Sequence, residues 1–561
     1  MNNMRTRISL KLAIALLLWP SAHAAMAQNW GISPSKPKLV VQIVVSQMHH
    51  DHIAQHWNRF GDGGFKLLVT NGISCTQVHY GHQHTQGCPG LATLTTGADP
   101  ATHGIVANRW FSRTDKSDVH PTADTKAQTV GGSFGQGQHS ARLLLTSTLA
   151  DELWAHNPHS KVVGIAIEPS AAILATGHNA TGVFWLDTER GRWVSSTSFV
   201  QSLPPWADTL NSKGLALIYA QRDWRTLKPI ASYAMADTAS ARTTAQLQRR
   251  TSKLQQVADG LIRPGQKNPS NLSSLLETPF GNSFTIDMAI AAIEGEELGL
   301  DRHTDFLSIA FCPNRTIGAK HGPSSIEMED TYLRLDNDLA HLLRFIDSQV
   351  GLRNTLVVLT SDHAIGRSLN ELKELGLPNG NFNSLLASTL LNSYLSALYG
   401  KGQWVYYCHG LHIYLNHQLV ADKKLELDLV RQQAASFMLE FGGVARSVPA
   451  QLLLHGDSPP DAPLAPFQRS YSCQRSGDVL LALNPGWASE EGQPQSMANT
   501  ALPQHTHVPL VLCGWKVRHA VLDQRIDMVQ LAPTLATVLG LPRPNGALAM
   551  PIADIVKMLD D

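Results

Sequence analysis

Apolar residues along the chain fall into short, nearly continuous runs, with amphipathic stretches between them. Leu39–Val45 is the clearest run, and Lys161–Ile167, Thr304–Phe311, Thr355–Leu359 and Val508–Leu512 have the same character. Runs of this length, rich in Val, Ile and Leu and lacking polar alternation, predict strands of a sheet covered on both faces. Between them the period changes to that of a helix. Ser324 or Ser325 can cap the acidic first turn Glu327-Met328-Glu329-Asp330, and Leu339, Leu342, Leu343 and Ile346 then follow at i, i+3, i+4 and i+7. A second helix is expected near Ile526–Leu539. The alternation predicts an α/β architecture: a central, mostly parallel sheet with helices on both faces. Two spans richer in Pro, Gly, Ser and polar residues, near 190–275 and 375–475, are expected to be insertions forming a cap or subdomain.

Composition narrows this only slightly. The chain has 561 residues, 43% hydrophobic and 16% charged, which suits a globular core and not a disordered chain. Lys+Arg and Asp+Glu both number 45, so there is no cationic excess to neutralise nucleic-acid or anionic-lipid phosphates. Nucleic acid is therefore not an expected partner. At the N-terminus, Arg5, Arg7 and Lys11 precede an apolar run from Leu12 to Trp19, followed by Ala22, Ala24, Ala25 and Ala27. This is the order of a secretory signal peptide, residues 1–27, cleaved before Gln28. The run is too short to span a bilayer. A secreted protein, in the periplasm of a bacterium, is the expectation. Six cysteines (Cys75, Cys88, Cys312, Cys408, Cys473, Cys513) include no C-x-x-C pair and read as buried thiols, with room for one or two disulfides whose partners spacing cannot assign.

In open α/β sheets the chemistry gathers at the carboxyl ends of the strands. That directs attention to Ser46, Thr85–Gly90, Glu168–Ser170, Asn314–His321, Ser361-Asp362-His363 and the stretch before His507. With these positions marked, a family becomes recognisable. Lys38-Leu39-Val40-Val41 with Ser46-Gln47-Met48, Gly63-Gly64-Phe65, Thr96-Gly97, His103-Gly104-Ile105, Asn108-Arg109-Trp110, Thr278-Pro279-Phe280-Gly281-Asn282, Gly322-Pro323-Ser324-Ser325, Ser361-Asp362-His363 and Ala532-Pro533-Thr534 occur in family order. The chain resembles the alkaline phosphatase superfamily, in its bacterial phosphate-monoesterase branch related to type I phosphodiesterases and nucleotide pyrophosphatases.

The resemblance implies two zinc ions held by Asp and His, a Thr or Ser nucleophile, and a Lys, an Arg and an Asn on the remaining phosphate oxygens. Transferred position by position, most of these roles have no side chain to perform them. Ser46 stands at a metal-ligating Asp, Gly87 at the nucleophile, Glu168 and Ser170 at the Lys-x-Arg pair, Arg315 and Ala319 at an Asp-x-x-x-His pair, and Ala498 at the last His. Asp362 and His363 remain as a metal remnant, and Asn108 as a phosphate contact. Two anions and one cation (Asp362, Glu168, Arg315) replace a zinc-loaded, strongly cationic site, so a phosphate dianion loses its attraction. Two ligands are too few for tight zinc. No cofactor is expected, at most one residual metal on Asp362-His363 with His82, His84, His321 or His505 recruited nearby. Arg315 is expected to pair with Asp362 or Glu168 as an internal substitute for the metals.

Other features receive plainer readings. His49-His50-Asp51-His52 is expected to be a solvated helix start. Cys88-Pro89-Gly90-Leu91 departs from the Cys-x-Pro-x-Arg of sulfatases, which leaves Cys88 as a small helix-start residue. The sequence thus implies an inactive pseudo-phosphatase acting as a binding or scaffold protein for a protein or small-molecule ligand. The alternative is an active metal-dependent phosphomonoesterase or phosphodiesterase with rearranged ligands.

Overall fold

Seven consecutive residues from Leu39 to Val45 are wholly buried, which is possible only if both faces of their strand are covered. In the computed structural model, which describes residues 34–85, 87–234, 272–409, 411–454, 458–459, 462–489 and 501–560, this strand lies at the middle of the main sheet. The leader assigned to residues 1–27 and Ala498 lie outside the described residues.

The strands of that sheet are β1 (Leu39–Val45), β2 (Ile73–His79), β3 (Thr129–Val130), β4 (Val162–Ala166), β5 (Gly182–Asp187), β6 (Arg192–Ser196), β7 (Asp305–Phe311), β8 (Thr355–Thr360), β9 (His507–Gly514) and β10 (Ala520–Asp527). Their spatial order is β10-β2-β9-β8-β1-β7-β4-β5-β6-β3. The five central strands, β8 to β5, run parallel. On one side β9 is antiparallel to both β8 and β2, and on the other β6 and β3 are antiparallel additions. The principal helices are α1 (Asp51–His56), α2 (Cys88–Thr96), α3 (Pro169–Thr176), α4 (Phe280–Gly295), α5 (Pro313–His321), α6 (Ile326–Gln349) and α7 (Leu531–Leu539).

Alternation along β1 assigns its side chains to two cores. Leu39, Val41, Ile43 and Val45 pack with Met288 of α4 and Leu339 and Leu342 of α6. Val40 and Val44 pack on the opposite face with Leu91 of α2, Ile173 of α3 and Leu535 of α7. Each such side chain contributes about 1.5–3 kcal/mol by leaving water, so helix layers on both faces follow directly from the apolar runs. Helix α6 starts as its capping residues indicate, with Ser325 Oγ accepting the Met328 N–H at 3.1 Å. The helix expected from Ile526 begins later. Ile526 and Asp527 finish β10 beside Val78 and His79 of β2, Asp527 caps a short 3₁₀ turn, and α7 starts at Leu531. Ile526 is apolar because the strand buries it, so its apparent helical phase is accidental.

Within 190–275, residues Arg192–Ser196 extend the main sheet, and the helices Pro205–Ser212 and Leu215–Ala220 follow. This span is tied to α6 at Asp330, which accepts from Trp224 Nε1 at 2.7 Å and from the Tyr233 hydroxyl at 2.6 Å. The span near 375–475 contains the helix Ser384–Tyr399 and most of a separate four-stranded sheet, ordered Val405–His409, His412–Leu415, Val479–Leu483 and Val444–Pro449. That sheet has its own apolar cluster around Leu391, Trp404, Ile413, Val430 and Leu481.

Candidate functional site

The carboxyl ends of β1, β4, β7 and β8 bring together the residues singled out by sequence. β1 delivers Ser46, β4 leads to Glu168 and Ser170 at the start of α3, β7 leads to Arg315 in the first turn of α5, and β8 leads to Asp362 and His363. Asn108 reaches the same place from the segment after α2. Its Oδ1 accepts the Cys88 N–H at 2.9 Å.

Asp362 is the hub. Its Oδ2 accepts the Ser46 hydroxyl at 3.1 Å, its Oδ1 accepts the Gln47 N–H at 3.1 Å, and His363 Nδ1 lies 3.0 Å from Oδ1. Burial pushes this carboxyl up, but the adjacent imidazole, Arg315 and the Gln47 N–H outweigh it and hold Asp362 below the ordinary carboxylate value. Ser46 explains part of this balance. A carboxylate at that position would face Asp362 across hydrogen-bond distance and need a cation between them, whereas a hydroxyl donates and needs none.

Arg315 pairs with Glu168, one of the two partners expected for it. The anion follows β4 and the cation follows β7, the reverse of the charges that the resemblance implies at these positions. The Glu168 charge, acting against burial, holds the Arg315 guanidinium still more firmly protonated. Ser170 is buried, as is Cys88, whose thiol burial pushes up to about 12. A thiol held so far above neutrality is not a nucleophile at pH 7. Ala319 is buried and offers no donor.

Gly87, where the resemblance implies the nucleophile, is the residue before α2, with φ +62° and ψ −110°. A Cβ built there would lie 2.7 Å from Asn108 Oδ1. Both the left-handed conformation and the close amide favour glycine, so the backbone here is shaped around the absence of a side chain.

The remaining histidines do not gather at the centre. His82 and His84 belong to a buried network with Thr93, His103 and His412, where Thr93 Oγ1 lies 3.3 Å from His82 Nε2 and 3.1 Å from His103 Nε2, and His412 Nε2 lies 3.1 Å from His84 Nδ1. His321 sits beside Glu327 at 3.4 Å. His505 is buried near Gly366, its Nε2 2.8 Å from where a Cβ on that glycine would lie. Among the described residues no group of three or more His, Cys, Asp or Glu side chains is placed to hold a metal ion. The donor set itself fits two zinc ions poorly. Both Asp362 oxygens already accept hydrogen bonds, a guanidinium stands beside them, and His363 Nε2 is the single unpartnered nitrogen of the pair.

Two further sequence expectations change. His49-His50-Asp51-His52 does start a helix, but only Asp51 is exposed. His52 is buried with its Nδ1 2.8 Å from the Tyr332 hydroxyl, and His49 and His50 pack against His507. Partners from α6 and β9, hundreds of residues away, remove the solvent expected there. The six cysteines are all free thiols, four of them buried. Sequence reasoning also missed Asp478. Wholly buried, it takes hydrogen bonds from Arg113 at 3.1 Å, Arg431 at 2.8 Å and the Leu415 N–H at 2.9 Å, and lies 2.7 Å from His417 Nε2. Its partners span 365 positions of chain, and no local motif announces them.

The sheet gathers Asp362, His363 and Asn108 at the carboxyl ends of its central strands, the part of an α/β fold where ligands bind. The chain belongs to the type I phosphodiesterase/nucleotide pyrophosphatase family, which it matches over residues 40–507. It is 32% identical to the alkaline phosphatase PafA of Elizabethkingia meningoseptica over 535 residues, 93% of this chain and 95% of that protein. It is also 32% identical to the alkaline phosphatase PhoV of Synechococcus elongatus over 556 residues, 97% of this chain and 99% of that one. The crystal structure of wild-type PafA superposes with a TM-score of 0.84 at 31% identity, covering 94% of this chain and all of the other. Among the described residues no helix is long and apolar enough to cross a membrane.

Proposed function

We propose that this chain is an exported alkaline phosphatase family protein that has lost phosphate-ester hydrolysis and acts as a binding or scaffold protein. The observation that carries this reading is the Arg315–Glu168 ion pair, which puts a cation on a metal-ligand position and an anion on a phosphate-contact position. Ser46 bonded to Asp362, and Gly87 at the nucleophile position, support it independently. Ser46 and Arg315 each meet a partner that needs no metal, as expected of a centre adapted to a metal-free state. Hydrolysis by the family chemistry needs metal-held oxygens and an attacking hydroxyl, and these residues supply neither.

The test is turnover of p-nitrophenyl phosphate and bis-p-nitrophenyl phosphate by purified protein, with and without added zinc. The expected result is no release above that of heat-treated protein. Zinc-dependent release abolished by Asp362→Asn would overturn the proposal and favour the rearranged hydrolase, for which the unpartnered His363 Nε2 is the supporting observation. Export is tested separately, by fractionating cells and determining the N-terminus of the mature chain, expected at Gln28.

A further inference from the structure

Three histidine rings stack face to face where β2 ends and β9 begins, beside the turn into α1. His50 lies 4.6 Å from His507 at 12°, and His79 lies 4.6 Å from the other side of His507 at 16°. His49 meets His507 edge-on at 5.4 Å and His52 at 6.1 Å. The stack is anchored at each member. The His50 N–H donates to the His507 carbonyl at 3.2 Å, His507 Nε2 lies 2.7 Å from the Thr76 carbonyl, and His79 Nδ1 lies 3.2 Å from Thr506 Oγ1. Parallel rings at this spacing do not point their nitrogens at a common centre, so the cluster is not a metal site. It is instead an arrangement that tolerates neutral imidazoles and opposes charged ones.

Little nearby would compensate such charge. On its own element the cluster has one carboxylate, the exposed Asp51, 3.6 Å from His49 Nδ1. From β10, Arg525 faces His79 with the same sign as a protonated ring, and Asp527, opposite His79 in the strand register, is already paired with Arg469 at 3.2 Å. Along α1 and beyond, His56 and then Arg59 add further cationic groups, and Tyr332 of α6 is bound to His52.

We propose that the His50–His507–His79 stack, with His49, is an acid-operated latch that pins the turn 46–52 to the end of β2 and the start of β9 and releases it when His49, His50 and His79 become charged. That turn carries Ser46 and Gln47, which bond Asp362, and the Met48 N–H, which donates to Ser361 Oγ at 3.0 Å. Opening it therefore reaches the candidate site. Burial, more than neighbouring charge, holds His79 down at about 4 and His49 and His50 below the ordinary imidazole value. Imidazoles whose native values are depressed favour the closed form fully above the unfolded value near 6.5. They lose that preference as pH falls from there toward about 4. The latch is thus closed at neutral pH and weakened in acid.

Amide hydrogen exchange of the full-length mature protein tests this at pH about 7 and at pH about 4, with rates corrected for intrinsic chemistry. The wild type is expected to lose protection in acid by at least about tenfold in peptides covering 46–56, 76–80 and 503–508, while β7 and β8 stay protected. His50→Phe/His79→Phe keeps two flat rings against His507 but cannot charge them, and its loss of protection in acid is expected to be clearly smaller than that of the wild type. If that variant fails to fold by circular dichroism, His50→Phe alone is expected to lessen the acid effect. Equal wild-type protection at the two pH values, or a variant opening in parallel with the wild type, would overturn the proposal.

Discussion

Replacing Arg315 with alanine removes one end of the ion pair and leaves Glu168 partly buried without its cation, with Asp362 losing the same neighbour. The cost follows from exposure. Breaking one end of a fully buried pair costs about 3–5 kcal/mol, whereas an exposed pair is worth under about 1 kcal/mol. Side-chain exposures of 26% for Arg315 and 23% for Glu168 place this pair nearer the buried limit, for an expected loss of about 2–3 kcal/mol. Urea unfolding followed through the chain's 12 tryptophans measures it. Most of the loss is the penalty for an unmatched carboxylate, so Arg315→Ala/Glu168→Ala is expected to be more stable than Arg315→Ala alone by at least about 1 kcal/mol. An Arg315→Ala protein within about 0.5 kcal/mol of wild type would show that the pair does not substitute for missing charge. So would single and double variants of equal stability.

The neighbouring positions give sharper, smaller tests. Gly87→Thr puts a hydroxyl where the resemblance implies the nucleophile but forces a Cβ toward Asn108 Oδ1 at 2.7 Å and a side chain onto φ +62°. It is expected to destabilise by about 1–3 kcal/mol without creating phosphatase activity. Ser46→Asp exchanges a hydrogen bond to Asp362 for like-charge contact, so its unfolding midpoint is expected to rise as pH is lowered through the carboxylate range, where the wild type does not gain. Asp478→Asn breaks the hub joining Arg113, Arg431 and His417 and is expected to cost about 3 kcal/mol, measurable in the same urea titration. Because Asp478 is held below the ordinary carboxylate value, burial opposing but its cationic partners prevailing, its contribution is complete above the unfolded value of 3.8. That contribution fades as pH falls toward the lower native value, so the Asn variant should show a flatter acid limb than wild type.

The sheet was largely legible because doubly covered strands write themselves as apolar runs. Leu39–Val45 matches the strand to the residue, the runs before Cys312 and Ser361 differ from the observed strands by one residue at one end, and the run before Glu168 by one residue at each end. The boundary near Ile526 was misread because one buried position serves a strand and a helix equally well, and only pairing with Val78 of β2 decides between them. The candidate site was legible in membership, since fixed spacings from shared motifs name its residues, and Arg315 met one of its expected partners. Its surroundings were not. Whether His50 is wet depends on His507, and whether Asp478 matters depends on Arg113, and neither contact leaves a local periodicity. Gly87 shows the same limit, because sequence names the glycine but not the backbone conformation that favours it.

Zinc content per chain tests the central claim most directly. The mature protein is incubated with excess zinc, desalted and analysed for metal against protein concentration. A centre in which Arg315 answers Glu168 and Ser46 answers Asp362 should retain no stoichiometric zinc. About two zinc ions per chain, the complement of a working dinuclear phosphoesterase centre, would contradict it.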